Sequence, residues 1–314
     1  MLDASWLTVA TDFLQAAVRT ASPIFIAAVG LVFTGRAGIT NIGVEGTMLM
    51  GCLGAVVGSY YTGSAGLGLL VAMGVGLLLG LLFAYLVVTV KADQIVMGMA
   101  INLLGLGATT TFFRIIFKIS TVPPQVPSFA SLRTPLLADI PIIGPALFDQ
   151  VPVVYLGFLL VAVAYGVLFR TTWGLNVRAV GEHPRAVDTV GINVFGVRYA
   201  ACLVDGLMAG LAGGYLSLGL LHGFTENMVA GRGFIALAAV TFGRWNPLGA
   251  LAASMLFGAG DALQLRLQAA GFHVPYQFML MVPYVLTMVA LAGLVGRSRP
   301  PAATGKAYER TSGA

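Results

Sequence analysis

The sequence predicts an all-α membrane protein, a polytopic bundle of about nine to ten transmembrane helices with interrupted helices and an internal repeat. Three observations carry this expectation. Of the 314 residues, 58% are hydrophobic and 9% charged, against about 25% charged in a soluble domain. Glu45 is the only charged residue between Ala37 and Val90, and there is none between Leu267 and Gly296. Finally, the apolar runs are continuous rather than short alternations. Backbone groups in lipid must pair internally, so the choice is helices or a closed barrel, and continuous runs reject the barrel. The whole chain, 1–314, reads as one transmembrane domain.

The first segment, residues 1–19, reads as an amphipathic helix lying on the membrane surface and ending before Pro23. Trp6, Val9, Ala10, Phe13 and Ala17 recur at helical spacing, with Asp12, Gln15 and Arg19 between them. Asp3 ahead of the apolar residues, with no basic stretch before it, argues against a cleavable signal peptide. Spans follow near residues 18–35, 41–61, 64–90, 95–117, 151–170, 198–221, 228–243, 248–267 and 275–296. If residues 3–19 also cross, the count is ten.

Orientation follows from the basic loops. Arg170, Arg178, Arg185 and Arg198 bound or lie in the polar segment 171–197, and Arg297, Arg299, Lys306 and Arg310 lie in the tail 297–314. Both are therefore expected in the cytoplasm, and four spans between them keep the two assignments consistent. Residues 118–150 then lie outside. Pro123, Pro124, Pro127, Pro135, Pro141 and Pro145 forbid helix or sheet interiors there, giving a rigid irregular loop, either a connector or a docking surface.

Glycine pairs at Gly54/Gly58, Gly76/Gly80 and Gly206/Gly210 put two small residues on one helix face and predict close helix packing. Two openings are unusual. Thr40–Gly46 brings polar groups and glycines into an apolar stretch, and Gly231–Phe234 does the same before a run ending at Gly243–Pro247. Matching interruptions in the two halves of a chain point to a transporter's solute path.

No catalytic motif is present, neither a zinc-binding H-E-x-x-H nor a nucleophile elbow nor a phosphate-binding loop, so any ATP must be hydrolysed on another chain. His183, His222 and His273 are scattered, Cys52 and Cys202 lie in apolar segments, and no metal site is expected. The net charge of +5 sits in a few loops and sets orientation; it is not a nucleic-acid signal. Glu45 is either a solute or gating contact or a structural group that snorkels, caps its own helix or pairs with Arg36. Asn41, Gln94 and Asn102 suit a polar solute path or interhelical hydrogen bonds. Asp205, seven residues past Arg198, is expected near the cytoplasmic interface, and Asp261 and Arg266 at the outer interface.

The polar segment has helix grammar. Pro184 fits a first helical position and Gly191 a position of positive φ after a helix, so Pro184–Val190 reads as a short helix, with Arg185 and Asp188 spaced to pair on one face.

Three motifs together resemble the permease subunits of bacterial ABC importers for branched-chain amino acids, simple sugars and nucleosides: G-I-T-N-I-G-V-E-G at 38–46, G-L-N-V-R-A-V-G-E-H-P-R-A-V-D-T-V-G-I at 174–192, and G-R-G-F-I-A-L-A-A-V-T-F-G-R-W-N-P-L-G-A at 231–250. The segment 94–107 most resembles the nucleoside, guanosine-type branch. The chain departs from the family pattern at His183 and Val187. The resemblance implies a multi-pass protein of the bacterial plasma membrane that imports a small polar solute. ATP and Mg would be bound by partner ATPase subunits, with no cofactor on this chain, and the other partners would be a second homologous permease, an external substrate-binding lipoprotein and membrane lipid. It makes Gly181, Glu182, Pro184, Arg185, Ala186, Asp188 and Gly191 the coupling residues, and Asn41, Glu45, Gln94, Asn102 and Phe234 the solute path. An ion-coupled transporter would need several intramembrane carboxylates, and a membrane enzyme an Asp-rich metal site or a catalytic dyad.

Overall fold

The computed structural model describes residues 3–118, 126–133, 143–269 and 299–309. The predicted last span, 275–296, lies outside them, as do Pro123, Pro124, Pro135, Pro141, Arg297 and Arg310. The elements in chain order are α1 (Asp3–Arg36), α2 (Val44–Thr62), α3 (Ala65–Ala84, continued as a π-helix through Thr89), α4 (Gln94–Phe117), β1 (Leu132–Arg133), α5 (Ile143–Phe148), β2 (Asp149–Gln150), α6 (Pro152–Arg170), α7 (Thr172–Glu182), α8 (Pro184–Thr189), α9 (Val194–Tyr215, continued as a π-helix through Leu220), α10 (Arg232–Phe242) and α11 (Pro247–Ala269). The two short strands pair antiparallel, Leu132 with Gln150 and Arg133 with Asp149, which corrects the expectation of a wholly irregular loop over 118–150: Pro145 is the third residue of α5, in the first turn, where its missing N–H has no intrahelical partner to lose. Six of the described helices are long and apolar enough to cross a membrane, so the all-α polytopic bundle expected from composition is what forms.

Helix α1 is the axis, with Ile24, Phe25, Ala27, Ala28 and Val32 all fully buried. It packs along α9, α10 and α11, while α9 also packs along α2 and α3. The small-residue motifs explain the last contact. A Cβ added at Gly76 or Gly206 would run into the carbonyl oxygen of the other, and one at Gly80 would sit 2.6 Å from the Cys202 carbonyl. Two glycine pairs that look unrelated in sequence therefore form one backbone-to-backbone seam between α3 and α9.

The expectation that the first helix ends before Pro23 is corrected. Helix α1 runs through Pro23 to Arg36 without a break. Proline removes the N–H that would bond the carbonyl four residues earlier, and here that carbonyl, Arg19 O, accepts a hydrogen bond from the buried Tyr215 hydroxyl at 3.1 Å. A tertiary contact supplies the missing donor, which a local reading of the sequence does not see. The predicted span 228–243 is also shorter than expected. Helix α10 has 11 residues, about 16 Å at 1.5 Å per residue, roughly half the hydrocarbon thickness.

Candidate functional site in the middle of the bundle

The two unusual openings meet in space. After α1 the chain turns back into the bundle through residues 37–43, so that Gly46 lies against Ile101 and Asn102, in the third turn of α4. Helix α10 enters from the opposite chain direction. Its C-terminal turn lies beside the end of α1, where Gly35 leaves room for the Trp245 ring, and its first residues reach Glu45. Glu45 Oε1 accepts from Gly231 N–H at 2.7 Å and Oε2 from Gly233 N–H at 2.7 Å. The first N–H groups of a helix have no partner within it and carry the positive end of its dipole. A carboxylate placed there satisfies both needs with two charge-assisted bonds. Gly233 permits the approach, because a Cβ there would lie 2.7 Å from the Glu45 Cα, and Gly231, at φ +86, makes the turn into the helix.

This settles two alternatives. Glu45 occupies the first turn of α2 but caps α10, not its own helix. Arg36 is not its partner: Arg36 donates to the Trp245 carbonyl (Nε, 2.7 Å) and the Arg244 carbonyl (3.2 Å), and lies over the Phe169 ring, which Arg178 also approaches.

The uncharged polar candidates fix the re-entering connection in place. Gln94 Oε1 accepts from Thr40 N–H at 2.8 Å. Asn102 inserts its amide into the start of α2, accepting from Gly46 N–H (2.8 Å) and donating to Ile42 O (3.0 Å), the two groups that would bond each other in an uninterrupted helix. Asn41 accepts from Gly43 N–H (2.8 Å) and donates to Asp205 Oδ2 at 2.7 Å. Phe234 differs from these, since its ring stands 43% exposed beside the capped end of α10.

Asp205, expected near the cytoplasmic interface, is fully buried on α9 beside the last turn of α1, where Thr34 Oγ1 also donates to Oδ2 at 3.4 Å and Oδ1 has no hydrogen-bond partner among the described residues. The signal was available. Asp205 is the sole charge between Tyr199 and Leu221, the same pattern that drew attention to Glu45.

At the end of the bundle where α1 finishes, the polar segment 171–197 folds into two helices rather than one. The short helix starts at Pro184 as expected, ends at Thr189 with Val190 as cap, and is closed by Gly191 at φ +85. Val187 is buried and anchors it, whereas Glu182, Arg185, Ala186 and Val190 are exposed and Asp188 half-buried. The additional helix is α7, whose N-cap Thr171 accepts from Gly174 N–H at 3.1 Å. Trp173, Val177 and Val180 carried its helical spacing. At the end of α7, a Cβ on Gly181 would collide with the Arg36 carbonyl, so the α7–α8 corner sits directly on the end of α1. The described tail residues dock on the same corner. Ala303 N–H donates to Gly181 O (2.9 Å), Ala302 N–H to Glu182 (3.2 Å) and Gly305 N–H to Gly38 O (3.2 Å).

Comparison with known proteins agrees with this architecture. A family described as "Branched-chain amino acid transport system / permease component" matches residues 13–291. The guanosine ABC transporter permease protein NupQ of Bacillus subtilis is 40% identical, over 92% of this chain and 93% of its own length. The nucleoside ABC transporter permease protein NupC of Lactococcus lactis is 34% identical, over 91% and 93%. TsgC13 of Haloferax volcanii, an ABC transporter permease named for glucose, is 35% identical, over 97% and 99%.

Proposed function

As a member of the branched-chain amino acid transport system permease family, the chain is the permease subunit of an ABC importer, and we propose that the solute it moves inward is a nucleoside. One observation carries the solute class. No carboxylate at the mid-bundle site is open to a solute's ammonium group: Glu45 is held by two α10 backbone N–H groups, and Asp205 is fully buried behind Asn41 and Thr34, while Arg232 gives Nη1 to the Met228 and Val229 carbonyls. A zwitterionic amino acid needs a free cation and a free anion to replace its hydration. A neutral solute does not, and the exposed Phe234 ring offers a base a stacking surface worth about 1–3 kcal/mol. Two relatives named for guanosine or nucleosides support the same reading.

In this account the α8 end faces the cytoplasm of a bacterial plasma membrane, and the exposed face of α8 docks in a partner ATPase that binds Mg-ATP. Gly181, Glu182, Pro184, Arg185, Ala186, Asp188 and Gly191 form that corner. Its seating on the end of α1, next to the connection that leads to Asn41 and Glu45, supports a mechanical route from ATPase to solute path. A second permease covers part of the apolar surface of α3 and α4, where Leu70, Leu78, Leu103 and Ile115 are each at least 60% exposed, and a binding protein delivers the solute from outside.

The test is radiolabelled guanosine uptake in cells carrying this chain with its partner subunits, challenged with unlabelled guanosine, glucose and leucine. Guanosine alone is expected to compete. Competition by glucose without guanosine uptake overturns the nucleoside in favour of a sugar, the solute for which TsgC13 is named.

A further inference from the structure

We propose that the seam between the C-terminal segment and the α7–α8 corner is a binding site for an oxyanion of the phosphate type, held by Arg198. A cavity of about 680 Å³ lies there. Its walls include Glu182 and Arg185 on one side and Lys306, Tyr308 and Glu309 on the other, with Arg198 between them. Arg198 is 2% exposed. Among the described residues its guanidinium makes a single hydrogen bond, from Nη1 to the Lys306 carbonyl at 3.1 Å, while Nε and Nη2 have no partner there. Those two nitrogens share one edge of the guanidinium. They form the parallel donor fork that engages carboxylate or phosphate bidentately.

The carboxylates on the walls do not supply the missing charge. Glu182 accepts from Ala302 N–H at 3.2 Å, and Glu309 pairs with Lys91 at 3.2 Å. Arg185 and Lys306 add two further cations to the cavity walls. A buried cation with an empty donor fork is costly, and a bound counter-charge removes the cost. One wall is the tail, which meets Arg198 through the Lys306 carbonyl and packs Tyr308 against Phe195 with ring centroids 5.6 Å apart and planes tilted by 60°. A shift of this wall admits the anion to the fork. The site is independent of which solute crosses the bundle, while Glu182 and Arg185 also belong to the corner assigned to the partner ATPase.

The experiment is thermal unfolding of the full chain in phosphate-free detergent, titrated with inorganic phosphate or guanosine monophosphate against chloride at equal ionic strength. A parallel series uses nanodiscs with and without phosphatidylglycerol. A saturable rise in Tm of about 2–4 °C is expected. A rise with inorganic phosphate or the nucleotide in detergent identifies a soluble anion. A rise only with phosphatidylglycerol identifies a lipid headgroup at the same fork. Arg198→Gln should abolish the rise and, free of the unpaired charge, should not melt below wild type in phosphate-free buffer. If that variant fails to fold, Ala307→Asp serves instead, since it brings a tethered carboxylate to the cavity and should cancel the phosphate response. No anion-specific rise in wild type, or an equal rise in Arg198→Gln or Ala307→Asp, overturns the proposal.

Discussion

Replacing Glu45 tests the joint between the two re-entering segments. Its carboxylate accepts two backbone N–H groups at 2.7 Å each. Hydrogen bonds to a charged group contribute about 1.5–3 kcal/mol net, and an unpaired buried N–H costs about 1–3 kcal/mol. Interhelical side-chain bonds in membranes average only about 0.6 kcal/mol, because the unfolded chain finds other partners there. The backbone donors at a helix start cannot do so within their own helix, and the helix dipole adds to the carboxylate's hold. The upper range therefore applies. Glu45→Ala should cost about 3–5 kcal/mol, a large part of an ordinary stability of about 5–15 kcal/mol. Glu45→Gln keeps one acceptor but turns an NH2 toward the other N–H, and should cost about 1.5–3 kcal/mol. Glu45→Asp is one methylene short of reaching both N–H groups and should fall between wild type and Gln. The assay is denaturant or thermal unfolding in detergent, alongside guanosine uptake at matched membrane level. A Gln variant that melts and transports like wild type would refute the capping argument.

Other variants test the packing. Gly206→Ala drives a methyl into the Gly76 carbonyl and should strongly lower the amount of folded protein in membranes. Gly74→Ala on the same α3 meets nothing within 4 Å and should leave it unchanged, so equal yields of the two would reject the seam. Tyr215→Phe strips the donor from Arg19 O and should cost about 1 kcal/mol. In a Pro23→Ala background the restored N–H takes over and the cost should vanish, a coupling that a double-mutant cycle reads directly. Asn102→Ala orphans Gly46 N–H and Ile42 O and should lower Tm by several degrees, whereas Leu103→Ala, on the 69% exposed face, should barely change it.

Much of this was legible in the sequence because lipid simplifies the problem. With helices the only choice once a barrel is excluded, charge-free runs marked most of the spans to within a few residues, and Pro184 and Gly191 marked the short helix by local geometry alone. What escaped depended on contacts between distant segments. The continuation of α1 through Pro23 needs Tyr215, which lies 192 residues away. That Thr40–Gly46 and Gly231–Phe234 bind each other rather than merely resembling each other is a fact of packing. The tail read as a basic cytoplasmic appendage, yet Ala303 and Tyr308 are buried in it, a pattern too short for periodicity to register. Asp205 differs: its spacing from Arg198 points to the cytoplasmic interface, whereas its isolation within an apolar helix points to the burial that the fold shows.

The most direct test of the account replaces Pro184–Thr189 with a Gly/Ser stretch of equal length and measures guanosine uptake and ATP hydrolysis in the assembled importer at equal membrane level. Uptake should be lost while the ATPase subunits hydrolyse ATP without responding to the solute-loaded binding protein. Uptake that survives the replacement would contradict energy transfer through α8.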